Sequence, residues 1–307
     1  MEKIKFFRIG LIIASVLSFG SYLHALENIS QKKIVTKKST TPIKLIKKWE
    51  TRQRNQLDTP ESVLYDRSKK KIYVSNVNSS KSKKHWIDND GFISKLNKNG
   101  TIDTLVWVSG LKAPKGLAVH KNHLYVADIN SVVKIDTING VIEDIFYAPK
   151  GVNHLNDLVY DKKRNVLYVS DSSSKKIFKM TLDGRFKLFY KKERNKPRQN
   201  GLYIYNDKLI MQGNRGKLKS LSLKTYKRRT ISKTIFNANI DGIWRYKNMG
   251  YLVSDWQGKI YFVSKRGKAK LLLTTKPIRS ADISYSSALG LLLVPDFNDR
   301  IIAYRVK

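Results

Sequence analysis

Apolar and polar residues alternate in short runs along most of this chain, and the runs come in pairs. Leu158-Val159-Tyr160-Asp161 and Val166-Leu167-Tyr168-Val169-Ser170-Asp171 flank a polar turn, the pattern of a β-hairpin. The phrase recurs. Glu61-Ser62-Val63-Leu64 leads to Ile72-Tyr73-Val74-Ser75, Lys115-Gly116-Leu117 to Leu124-Tyr125-Val126, and Asn200-Gly201-Leu202 to Leu209-Ile210-Met211. Asp241-Gly242-Ile243 leads to Leu252-Val253-Ser254, and Ala281-Asp282-Ile283 to Leu292-Leu293-Val294. Counted from 61, 115, 156, 200, 241 and 281, the steps are 54, 41, 44, 41 and 40 residues. A repeat near forty residues made of short strands predicts one propeller blade per copy. Six copies predict an all-β, six-bladed β-propeller of four-stranded blades.

Third strands follow each hairpin, as in Phe92–Leu96, Val132–Ile135, Lys176–Met180 and Lys259–Val263. Asn99-Gly100, Asn139-Gly140, Asp183-Gly184 and Arg266-Gly267 come next, and such dipeptides predict primed hairpin turns with positive φ. The last copy ends at Ile301–Val306, one strand short of four. The strand-like run Ile43–Glu50 supplies the missing one, so the N-terminal strand is expected to close the last blade and remove an open edge. Helical periodicity is missing after the N-terminus. The long first step places an insertion between Asn76 and Phe92, a candidate lid over the face where the first strands begin. Its Asp88-Asn89-Asp90-Gly91 has the look of a calcium loop, but without the later acidic ligand of an EF-hand a tight turn is the better reading.

The first 25 residues stand apart. Lys3, Lys5 and Arg8 precede an apolar stretch from Ile9 to Phe19 and a Leu23-His24-Ala25 cleavage site, the anatomy of a signal peptide. An uncleaved anchor is the alternative, although the run is shorter than the ~20 residues that span a bilayer. Residues 26–42 are polar and aperiodic, a flexible leader. Residues 43–307 then form the propeller, expected to be exported to the periplasm or secreted, with no stable membrane span once the signal is removed.

No cysteine occurs in the chain, which excludes disulfides and thiolate catalysis. The formal charge of +36, about +34 without the signal segment, is spread over lysine-rich turns such as Lys69-Lys70-Lys71 and Tyr226-Lys227-Arg228-Arg229. A polyanion partner is one reading. Solvated loops that keep β-edges soluble are the other, preferred because no basic helix, aromatic ladder or nucleic-acid motif accompanies the charge. No specific nucleic-acid partner is expected.

In a propeller the first strand of each blade lines the axis, so its opening residues converge. These are Glu61, Lys115, Asn156, Asn200, Asp241 and Ala281, with Asp157 and Asp282 one step further along. Carboxylates and amide oxygens are hard donors suited to Ca²⁺, Mg²⁺ or Mn²⁺. A polar, water-filled channel is the competing reading.

Pro60-Glu61-Ser62-Val63, Leu155-Asn156-Asp157, Gln199-Asn200-Gly201-Leu202 and Ile240-Asp241-Gly242-Ile243 resemble the motifs of the senescence marker protein (regucalcin)/gluconolactonase family over about residues 58–307. The resemblance implies a divalent cation, calcium first and Mn²⁺, Mg²⁺ or Zn²⁺ as alternatives, held by Glu61, Asn200 and Asp241. It also implies Asp241 as general base and Asn156 as a contact to water or substrate. The substrate arginine found two residues before the asparagine in regucalcin-like members is His154 here. Lys115 is a cation beside the expected metal, and Trp244 is either an apolar wall of the site or core, with core preferred.

Two functions follow. The first is a metal-dependent lactonase or esterase acting on a small sugar-type lactone, with Asp241 or His154 moving the proton and His154, Asn156 and Lys115 contacting substrate. The second is an exported propeller that binds a small ligand or polyanion around a structural metal. No Gly-x-Ser-x-Gly elbow offers a rival nucleophile.

Overall fold

The computed structural model describes residues 43–51, 56–78, 88–191, 198–213, 216–232, 240–274 and 280–307. All regular structure within them is β, in six antiparallel four-stranded sheets. Blade one holds β2 (Pro60–Asp66), β3 (Lys71–Asn76), β4 (Gly91–Asn97) and β5 (Ile102–Leu111). Blade two holds β6 (Pro114–His120), β7 (His123–Asp128), β8 (Ser131–Asp136) and β9 (Ile142–Tyr147). Blade three holds β10 (Leu155–Asp161), β11 (Val166–Asp171), β12 (Lys176–Thr181) and β13 (Phe186–Lys191). Blade four holds β14 (Leu202–Tyr205), β15 (Lys208–Gln212), β16 (Leu218–Ser222) and β17 (Arg228–Thr230). Blade five holds β18 (Ile240–Tyr246), β19 (Gly250–Asp255), β20 (Lys259–Ser264) and β21 (Ala269–Thr274). Blade six takes β22 (Ser284–Ser286), β23 (Leu291–Asp296) and β24 (Arg300–Val306) from the end of the chain and β1 (Leu45–Glu50) from its start.

The closure is antiparallel, with Leu45 opposite Val306 and Glu50 opposite Ile302. Trp49 extends it sideways. Its ring lies over Gly100 of blade one, where a Cβ would sit 2.4 Å from it, so one strand ties blade six to blade one. Burial follows position in the blade. The second strands β11, β19 and β23 are buried at every residue, because neighbouring blades cover both faces, whereas the outer β9, β13 and β21 are largely exposed. Six large apolar clusters form among the described residues, each shared by two adjacent blades. Leu291, Leu293 and Ile301 join Val63, Ile72 and Leu96 in the one that seals the ring. Burial of this kind, at about 25 cal/mol per Å² of apolar surface, is what holds successive blades face to face.

The outer turns differ from the expected type. Gly100, Gly140, Gly184 and Gly267 have positive φ, but Asn99, Asn139, Asp183 and Arg266 do not. A primed two-residue turn needs a left-handed residue at its first position. Here longer turns end in a left-handed glycine, with Gly100 N–H donating to Asn97 C=O and Gly184 N–H to Thr181 C=O. Residues 79–87 of the candidate lid lie outside the described residues. Asp88-Asn89-Asp90-Gly91 turns the chain into β4 with Asn89 in the left-handed region.

Candidate functional site

The opening residues of the first strands are aimed by bulges. Register shifts fall between Pro60 and Ser62, Pro114 and Leu117, Leu155 and Leu158, and Ile240 and Ile243, so each interval contains an expected site residue. A bulge bends its strand and re-aims a side chain, at the cost of a ladder hydrogen bond. In three blades a serine of the second strand replaces that bond. Ser75 Oγ accepts from Ser62 N–H at 3.0 Å, Ser170 Oγ from Asp157 N–H at 3.0 Å, and Ser254 Oγ from Gly242 N–H at 2.8 Å. Ser254 also donates to Ala281 C=O at 2.7 Å, tying blade five to blade six. These serines were legible only as the third residue of Tyr-Val-Ser and Leu-Val-Ser, where they pass for ordinary strand residues.

The glycines that follow the site residues bring neighbouring first strands together. A Cβ on Gly201 would lie 1.9 Å from Asp241 C=O, and one on Gly242 would lie 2.4 Å from Ile283 N. No side chain fits there, and this explains the Asn-Gly and Asp-Gly dipeptides.

Four of the six expected site residues meet in pairs. Lys115 Nζ donates to Glu61 Oε1 at 3.0 Å, both residues being only 5% exposed. Asn200 Nδ2 donates to Asp241 Oδ1 at 2.7 Å, and Asp241 is 1% exposed. One oxygen of each expected ligand remains buried and unpaired: Glu61 Oε2, Asn200 Oδ1 and Asp241 Oδ2. Buried polar atoms are normally partnered, so three orphans on these three residues mark a place for a further group. Their chemistry, two carboxylates and an amide oxygen, fits a hard divalent cation. No three His, Cys, Asp or Glu side chains gather to hold a metal among the described residues, and this set has only two carboxylates. Asn156 is buried at the same level. Gln199, immediately before Asn200, is fully buried with both amide atoms unpaired, a feature the sequence did not single out.

Charge is crowded at the axis. Burial, then Glu61 and Asp282, raise the Asp241 carboxyl well above the usual range, against the pull of Lys115 and Asn200. Burial pushes Asp157 up to about 8, with Asp241 and Glu61 adding to it, although Leu202 and Leu158 N–H groups hydrogen-bond it. Asp282 is likewise well above its usual range through burial, Asp157 and Glu61. Burial lowers His154 to about 4, helped by Lys115 and Arg198, so its imidazole is neutral at physiological pH. His154 therefore lies in the electrostatic reach of Lys115. Trp244 does not wall this end. It is half-buried three residues further along β18, where it packs against the apolar cluster of blades five and six and lines a cavity at the other end of the axis.

No family model matches the sequence, and no curated protein matches it either. Solved structures do match in shape. A gluconolactonase from Xanthomonas campestris superposes with TM-score 0.65 at 12% identity, over 83% of this chain and 88% of that one. An inactive virginiamycin B lyase from Staphylococcus aureus, solved with quinupristin, gives 0.60 at 15% identity, over 86% and 99%. A chain of a nidogen/laminin complex gives 0.57 at 15%, over 70% and 80%. The likeness is one of fold. It spans proteins whose activities differ, so function rests on the site itself.

Proposed function

We propose that this protein is a divalent-cation-dependent hydrolase, a lactonase or esterase for a small sugar-type lactone, with Glu61, Asn200 and Asp241 holding the cation. The observation that carries this reading is the set of three buried, unpaired oxygens, one on each of those residues. The gluconolactonase among the structural neighbours supports the reaction class. A bound cation supplies Lewis-acid polarisation of the ester carbonyl and a water of lowered pKa. Asp241, with its second oxygen unpaired at the axis, accepts the proton. His154, kept neutral, offers a hydrogen-bonding nitrogen to a substrate hydroxyl. Lys115 and Asn156 orient substrate oxygens, and Lys115 holds Glu61 in place. The signal-like pattern of residues 1–25 supports export of this activity from the cytoplasm.

The Lys115–Glu61 pair favours a second reading. An ammonium 3.0 Å from the carboxylate already neutralises part of the ring, so the face binds a small ligand or polyanion around a structural metal without turning it over. Turnover of a lactone panel decides between them, and elemental analysis with melting in Ca²⁺, Mn²⁺, Mg²⁺ and Zn²⁺ tests the metal both require. The hydrolase reading expects a concentration-dependent rise in Tm, because the cation binds only the folded ring, and turnover of a lactone panel that Asp241→Asn abolishes. No bound metal, no melting shift and no turnover would refute it.

A further inference from the structure

The first strands begin at Glu61, Asn200 and Asp241 and run away from them along the axis. At their far end they enclose a cavity of about 290 Å³, open to solvent. Tyr65, Tyr160, Tyr203 and Trp244 contribute to its wall, with the Tyr203 and Trp244 rings 5.4 Å apart. Asp157, near the start of β10, and Asp282, two residues before β22 and bridged to Ser62, line it too and form its base. A smaller cavity of about 190 Å³ shares Tyr65 and Trp244 with it.

The two base carboxyls differ in how they are paired. Asp157 Oδ1 accepts from Leu158 N–H and Oδ2 from Leu202 N–H, both at 2.6 Å. Asp282 Oδ2 accepts from Ser62 Oγ at 2.6 Å, while its Oδ1 receives no hydrogen bond among the described residues. Asp282 is half-buried, and the surface it keeps belongs to this cavity. No buried cation serves this pair. Lys115 is the only buried lysine or arginine among the described residues, and it is bonded to Glu61. Arg67 lines the mouth, but it is exposed and five residues from Ser62, about 16 Å along an extended strand. Water screens it from the base.

An aromatic wall above a carboxyl pair that no buried cation of the described residues neutralises is complementary to one kind of ligand. Burial without a counter-cation also raises the proton affinity of both carboxyls, and an ammonium takes the proton's place. Ring faces attract a cation, and a carboxylate gives it a charge-assisted hydrogen bond. We propose that this cavity is a second binding site, separate from the Glu61–Asn200–Asp241 end, for a small organic amine. The ammonium sits on Asp282 Oδ1 beside Asp157, and the hydrocarbon or aromatic body packs on Tyr203 and Trp244. A neutral polyol, which the same carboxyls could hydrogen-bond, is the outcome the test must separate.

Benzylamine is the probe, with benzyl alcohol and benzoate as its neutral and anionic counterparts, followed by calorimetry and tryptophan fluorescence on the full chain. Benzylamine should bind at least about tenfold tighter than benzyl alcohol, the factor expected for one charge-assisted hydrogen bond, and benzoate should not bind. Asp282→Asn should erase the preference for the amine over the alcohol, and Trp244→Leu should weaken amine and alcohol together. Saturating calcium, which would neutralise the Glu61 charge acting on Asp282, should leave the preference for benzylamine over benzyl alcohol in place. No benzylamine binding, or equal affinity for amine and alcohol in the unaltered protein, overturns the proposal. That comparison needs no variant to fold.

Discussion

The Lys115–Glu61 ion pair is buried at the axis, so removing its cation should have a large effect on stability. Lys115→Met keeps the length and apolar stem of the side chain but removes its charge. Glu61 then keeps one oxygen that was already unpaired and gains another, in a position 5% exposed and crowded by Asp241 and Asp282. Breaking a buried ion pair from one side costs about 3–5 kcal/mol, because the stranded charge stays desolvated. For a domain of this size each kcal/mol is worth about 2–4 °C, so Tm in EDTA should fall by about 6–20 °C. The double variant Glu61→Gln/Lys115→Met removes both charges and should recover most of the loss, which distinguishes electrostatics from packing. Calcium should recover part of it for Lys115→Met and none of it for the double variant, since the cation replaces the ammonium only where Glu61 is charged. Differential scanning calorimetry of the four proteins, with and without calcium, measures each term. A Lys115→Met protein that melts within about 1 °C of the parent in EDTA refutes the claim that this pair is the electrostatic keystone of the ring.

Three further outcomes are expected. Asp157 titrates near 8 in the fold against an ordinary 3.8, so the folded state holds a proton that the unfolded chain releases, and this contribution to stability is lost as pH rises towards 8. His154 acts in the opposite sense, but only below its ordinary 6.5, so metal-free Tm should fall from pH 6.5 to 8 and Asp157→Asn should flatten that slope. A Tm that rises over this interval would contradict the assignment. Ser254→Ala should cost about 1–3 kcal/mol in urea titration, since it orphans the buried Gly242 N–H and Ala281 C=O, and a neutral result would show that water replaces the hydroxyl. A chain beginning at Ile43 should stay soluble, whereas one beginning at Thr51 should aggregate on light scattering, because it exposes the β24 edge and loses Trp49 from Gly100.

Much of this molecule is written locally. The period-2 runs, their spacing and the missing last strand specify six blades and their closure, because strand pairing between chain neighbours needs little beyond pattern and turn. Even Ile43–Glu50, far from its partner in sequence, was legible as the strand the last blade lacked. The residues opening the first strands were legible as a group too, Glu61, Asn200 and Asp241 among them, since a propeller turns its first strands toward the axis; that these three hold a cation is the proposal made above. What the sequence did not decide is how those groups pair. Lys115 with Glu61 spans 54 residues and Asn200 with Asp241 spans 41, and Glu61, Lys115 and Asp241 all sit in bulges that period-2 patterning does not reveal. The outer turns were misjudged for a related reason: glycine marks the left-handed residue but not the length of the turn around it. Trp244 packs against the core as expected and faces a cavity as well, and the second role was hidden because a strand residue facing a cavity and one facing its neighbours look alike in one dimension. Asp157 and Asp282 were visible as letters, but only the closed ring makes them a pair, and their burial together without a counter-cation raises both carboxyls at the base of a pocket.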